Sequence, residues 1–214
     1  MATRRDSVKE VNSSEVGDTI YVAVSKDVKD SKLNVIWAIQ NSGGKIICIL
    51  YVHVPSPKIP MMGAKFPASA LTKQEVEAYR KNESQDMRKA LDAYLLICQR
   101  MGVRAEKLHI EMDSIEKGII ELISKYNIQN LVMGAASDKH HSRRMTDLRS
   151  KKAIYVCQQA PSSCYIQFIC KGYLIHTRNT HALKDCGLDK YRVEGTSTLM
   201  EQMQKSPVGN SIEI

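Results

Sequence analysis

No run in this 214-residue chain approaches the roughly 18 consecutive apolar residues that a membrane-spanning helix needs. The opening, Met1-Ala-Thr-Arg-Arg-Asp6, also lacks the apolar stretch of a secretory signal. The expectation is a cytoplasmic protein, with the nucleus open to it, and no membrane partner. Six cysteines are present, but none pairs as Cys-x-x-Cys and no spacing suits zinc. His140 and His141 are adjacent loop residues without thiolate or carboxylate help, so no metal is expected. Aromatic residues make up only 6% of the chain, and none interleaves the basic segment after Gly134. Base stacking has nothing to work with there, and nucleic acid is not the expected partner. Three kinase marks are missing as well: no glycine-rich loop leads to Val-Ala-Ile-Lys, and neither His-Arg-Asp nor Asp-Phe-Gly occurs. The Walker pattern and any Ser–His–Asp or Cys–His spacing are absent too.

What is present suits one globular core: 43% hydrophobic residues and a net charge of +8. The charge is uneven. Lys139, Arg143, Arg144, Arg149, Lys151 and Lys152 face only Asp138 and Asp147, so six minus two, or +4, falls within residues 135–152. A solvated basic loop and an anion-binding loop both fit that pattern.

Apolar periodicity alternates along the chain. Residues 19–24 and 45–54 are β-branched runs of the kind buried on both faces of a sheet. Between them a helix carries Leu33, Val35, Ile36, Ala38 and Ile39, with Asp30 or Ser31 as its cap and Gly43-Gly44 at its end. Residues 55–71 hold four prolines and no period, which predicts a loop. Thr72 with Glu75 forms a capping box for a long helix to about Met101, with Met87, Leu91, Tyr94, Leu95 and Cys98 on one face. Its Glu75, Glu77, Glu83 and Asp86 read as exposed partners of nearby lysines and arginines. A strand at 103–111, a helix opened by Asp113 with Glu116, and a strand at 128–133 ending at Gly134 follow. Ser150 caps a further helix, residues 164–170 form a fifth strand, and 173–175 a short return strand. Trp37 reads as core.

The fold class predicted is α/β: an open, doubly wound, five-stranded parallel sheet with helices on both faces, spanning residues 18–178. Residues 1–17 and 179–214 are expected to be flexible tails, the second a linker. Ligands in such sheets bind beyond the carboxyl ends of the strands, where strand order reverses. That rule points to Ser25 and its neighbours, to His53 and Val54, and to Gly134 onward. Gly134 allows close backbone approach, and Ser150 with Lys151 and Lys152 places N–H groups and cations at a helix start, which favours phosphate.

Several segments resemble the universal stress protein domain: Val22-Ala-Val-Ser-Lys26, Trp37-Ala-Ile39, Ile49-Leu-Tyr-Val-His-Val54 and Asn130-Leu-Val-Met-Gly-Ala-Ala-Ser-Asp-Lys139. Ser142-Arg-Arg-Met145, Ser150-Lys-Lys-Ala153 and Phe168-Ile-Cys-Lys-Gly172 are similar to its plant branch, where the domain precedes a U-box and a kinase domain. The resemblance implies an adenine-nucleotide site, with ATP as cofactor, at Val24, Ser25, His53, Val54, Met133, Gly134, Ser137, Arg149, Ser150 and Lys151. The family's loop reads Gly, two residues, Gly, nine residues, Gly, then Ser or Thr. Here Gly134 matches its first glycine, Ser137 stands at its second, and Arg149-Ser150 stands two residues late for the final pair. Ser25 replaces the aspartate that ends strand one. The resemblance also implies homodimerisation through the fifth strand and protein partners in ubiquitin or kinase signalling. Two readings stay open: a regulatory module in stress signalling that senses a ligand or docks partners, or a fragment of a ubiquitin ligase or kinase. Without kinase motifs or room for a U-box, the chain alone is expected to catalyse neither reaction.

Overall fold

The computed structural model describes residues 19–136 and 147–179. The expected N-terminal tail, the expected C-terminal tail from residue 180 on, and Ser137 lie outside the described residues. The sheet begins with β1 (Thr19–Ala23) and β2 (Ile46–His53), whose β-branched and aliphatic residues pair in parallel, Thr19 opposite Ile46 and Val22 opposite Ile49. β5 (Ala105–Glu111) adds to the outer side of β2, while β6 (Asn130–Gly134) adds to the other side of β1. β7 (Tyr165–Cys170) follows β6 in parallel. The order is therefore β5-β2-β1-β6-β7-β8, and it reverses between β1 and β6.

The last strand differs from expectation. β8 (Tyr173–Arg178) is a full six-residue strand, antiparallel to β7, joined to it by Lys171-Gly172 with both residues at positive φ. Such a two-residue turn matches the twist of a hairpin. The five expected parallel strands are thus present with β8 as a sixth, antiparallel strand, and β7 is not an edge. The expected dimer through the fifth strand loses its free edge, because β8 already satisfies those main-chain groups.

Helix α1 (Val28–Gln40) packs with α2 (Lys73–Arg100), and α3 (Ile115–Lys125) packs with α4 (Lys151–Gln159). Alternation along β2 serves both layers. Ile47, Ile49 and Tyr51 join a core with Val35, Ala38, Leu91 and Tyr94, and Trp37 packs partly buried against it. On the other layer, Val52 lies against Gly118 of α3. Each fully buried aliphatic side chain contributes roughly 1.5–3 kcal/mol relative to exposure.

Local chemistry decides the helix starts. α1 is capped by Asp27, whose carboxylate accepts the Lys29 N–H at 3.0 Å, rather than by Asp30 or Ser31. Leu33, expected on its buried face, is 44% exposed. The Thr72–Glu75 capping box of α2 is complete in both directions. α3 is capped by Ser114, not Asp113, which instead faces Lys117 four residues on.

The proline-rich stretch is not a plain loop. It holds an antiparallel hairpin, β3 (Lys58–Met61) and β4 (Ala64–Pro67), turned at Met62-Gly63 with φ of 47° and 82°. Pro60 and Pro67 fit because a two-stranded ribbon has only edges. Ile59 is buried beneath the hairpin. Glu83 of α2 ties its root: the carboxylate accepts the Ser56 N–H at 3.2 Å and pairs with Arg80, which also donates to the Ser56 carbonyl at 2.9 Å. Glu83 is only 8% exposed, so it is a structural anchor and not the solvated partner expected.

Candidate functional site

The turn after β1 is fixed by its own side chains. The Ser25 N–H donates to Ser31 Oγ at 3.0 Å, Ser31 Oγ lies 3.2 Å from Ser25 Oγ, and Ser25 Oγ donates to the Asp27 carbonyl at 2.9 Å. The Tyr94 hydroxyl reaches the carbonyls of Ser25 and Asp27 at 3.0 and 3.2 Å. Burial pushes that phenol up to about 12, so it stays protonated and donating at neutral pH. Where the resemblance puts a strand-ending carboxylate, this chain has a serine whose hydroxyl is engaged within the turn.

The end of β6 is tied to β7 and to the start of α4 by main-chain bonds. Ala135 N–H donates to the Ile169 carbonyl at 2.8 Å, and Ser150 N–H donates to the Ala135 carbonyl at 3.3 Å. Ser150 Oγ accepts the Ala153 N–H at 3.4 Å, capping α4, whose first turn carries no acidic residue. The positive end of this helix is therefore held at the strand tip with nothing of opposite sign in its own first turn. A Cβ on Gly134 would come within 3.2 Å of Asn34 Nδ2, so the glycine leaves room for the Asn34 amide.

Between these two turns lies a cleft of about 480 Å³, at the β1/β6 reversal. Five of the ten predicted residues line it: Val24, Ser25, Met133, Gly134 and Ser150. Four do not. His53 and Val54 follow β2, one strand further out, where the His53 carbonyl accepts the Met112 N–H at 2.9 Å. Arg149 and Lys151 are exposed beside the cleft, while Lys152 lines it. Ser137 lies outside the described residues. The sequence reading missed Lys29, Ser31, Asn34 and Lys171, all of which line the cleft, together with an apolar wall from Ile119 and Ile169. Ser31 and Asn34 did carry a signal. They sit at polar positions on the helix face that otherwise buries Val35, Ala38 and Ile39. The lining lysines, Lys29, Lys152 and Lys171, oppose one carboxylate, Asp30. Among the described residues no cluster of His, Cys, Asp or Glu could hold a metal, and no helix is long and apolar enough to cross a membrane.

No family model matches the chain. Over 177 residues, 83% of the chain, it is 55% identical to U-box domain-containing protein 33 of Arabidopsis thaliana, covering 21% of that protein. Over 180 residues, 84% of the chain, it is 45% identical to U-box domain-containing protein 36 of the same plant, covering 38% of it. The chain is a relative of plant U-box domain-containing proteins. It spans about a fifth and two fifths of the length of these two relatives. Among solved structures, a universal stress protein family protein from Arabidopsis thaliana, determined with AMP bound, matches at a TM-score of 0.45 and 14% identity, covering 71% of this chain and 90% of that one. The region shared with these plant U-box relatives includes the mostly parallel sheet described above.

Proposed function

We propose that this chain is a regulatory module whose cleft takes an adenine nucleotide, serving within a plant U-box-type protein of stress signalling. The observation that carries the reading is the cleft itself. It lies where strand order reverses, has the size of a small-ligand site (roughly 300–1,000 Å³), and sets the α4 N-terminus and three lysines around an apolar wall. Three lysines and the α4 N-terminus, in a lining shared with Val24, Met133, Ile119 and Ile169, suit a ligand with phosphates and a flat apolar portion. Kinship with U-box proteins supports a role beside ubiquitin-transfer machinery carried on other segments of such proteins.

The test is calorimetric titration of ATP into the full chain and into Lys152→Ala and Lys151→Ala variants. Binding tighter than about 100 µM, worth roughly 5.5 kcal/mol, is expected for the wild type. Lys152→Ala should weaken it several-fold and Lys151→Ala should leave it nearly unchanged. No heat at millimolar ATP would overturn the nucleotide reading and leave partner docking as the module's role.

A further inference from the structure

We propose that Asn34 is the specificity residue of the cleft, donating its carboxamide N–H to an anionic oxygen of the bound ligand. The inference rests on the nucleotide reading and adds to it a residue that the family pattern does not supply. Asn34 lies on the sheet-facing side of α1, only 6% exposed, beside Val35 and Ala38, which are wholly buried. Among the described residues its side chain has no hydrogen-bond partner. No fully buried side-chain nitrogen or oxygen there lacks a partner either, so the Asn34 amide must keep its access to the cleft it lines.

No hydrogen bond within the described residues uses this amide, so alanine at the position would break none of the fold's own bonds. The surroundings choose between the two halves of the carboxamide. Lys152, Lys171 and the capped start of α4 at Ser150 all present positive charge to the same space. A ligand oxygen drawn there is negative, and the amide N–H is the half that matches it. Gly134 completes the geometry, because any side chain there would crowd Asn34 Nδ2, 3.2 Å from the Cβ position.

The experiment compares the full wild-type chain with Asn34→Ala and Asn34→Asp, measuring melting temperature and ATP affinity for each. The expected result has three parts. Asn34→Ala melts no lower than wild type, its ATP affinity falls about five- to twenty-fold, the loss of one charge-assisted hydrogen bond, and Asn34→Asp binds more weakly still because its carboxylate repels the ligand. If Asn34→Ala binds ATP within twofold of wild type, the assignment of Asn34 is overturned while the nucleotide reading stands. A drop of several degrees in the melting temperature of Asn34→Ala would show a structural role and overturn it too. If the wild type takes up none of ATP, AMP or inorganic phosphate, the nucleotide reading falls and the Asn34 assignment falls with it.

Discussion

Arg178, 5% exposed, closes the sheet with its side chain. Its guanidinium donates to the carbonyls of Ala160 at 2.6 Å, Pro161 at 2.9 Å and Cys164 at 3.2 Å, just past the end of α4. A cation there also complements the negative end of that helix. Arg178→Ala is expected to cost about 2–3 kcal/mol in urea unfolding, because buried carbonyls lose a charged donor. Arg178→Lys should recover only part of that, since an ammonium lacks the planar fork. None of this was legible in the sequence. The return strand was expected over 173–175 only, and a side chain that reaches carbonyls 14 to 18 residues away leaves no local pattern. Glu83 was misread for the same reason, its partner Ser56 lying 27 residues away. Burial pushes the Glu83 carboxyl up, but the bonds from Ser56 and Arg80 outweigh that and hold it below its ordinary value. A depressed carboxyl stabilises the fold above the unfolded-state pKa and loses that contribution as pH falls through the folded value. The melting-temperature gap between wild type and Glu83→Gln should therefore be widest near pH 7 and shrink towards pH 3.

Elements whose signals are local were read correctly, and those settled by competition were not. The capping box at Thr72 and the Ser150 cap need only a few adjacent residues. Thr72→Ala is expected to cost about 1 kcal/mol in the same unfolding measurement. The start of α1 was expected to be capped by Asp30 or Ser31. The cap is Asp27 instead, and the Ser31 hydroxyl is taken by the Ser25 N–H. Likewise, the four prolines of residues 55–71 concealed a hairpin because proline is excluded from central strands but not from an isolated ribbon. Between α3 and the sheet, Gly118 sits at a close approach of helix and strand. A Cβ there would meet Val52 Cγ1 at 2.5 Å and Met112 Cγ at 3.3 Å. Gly118→Ala should destabilise by roughly 1–3 kcal/mol through overpacking. Adding Val52→Ala should restore part of the loss, and a double-mutant cycle of denaturation free energies would show that coupling.

At the scale of the whole molecule, strand alternation in the sequence implied the parallel sheet, but strand order depends on contacts between distant segments. Without it, the ends of β1, β2 and β6 were equal candidates. The fold brings β1 and β6 together and leaves His53 outside. The helix start was also ambiguous, since successive residues on a helix point about 100° apart, and so Lys152 rather than Lys151 meets the cleft. The core has a chemical consequence of its own. Cys48, Cys98, Cys157, Cys164 and Cys170 are all buried with no disulfide among them. Burial, with Glu106 adding to it at Cys48, pushes Cys48 and Cys164 up to about 12 and Cys98 to about 11. Peptide mapping after treatment with a thiol reagent at pH 7.4 should find Cys48, Cys98 and Cys164 unlabelled until denaturant is added. The antiparallel return of β8 matters in another way. β7 runs towards the cleft and β8 runs back, so Arg178 ends beside the start of β7, opposite Ile166. Thr19 opens β1 at that same end of the sheet. The described backbone thus enters and leaves the sheet at the end opposite the cleft, so neither Thr19 nor Arg178 stands in its doorway.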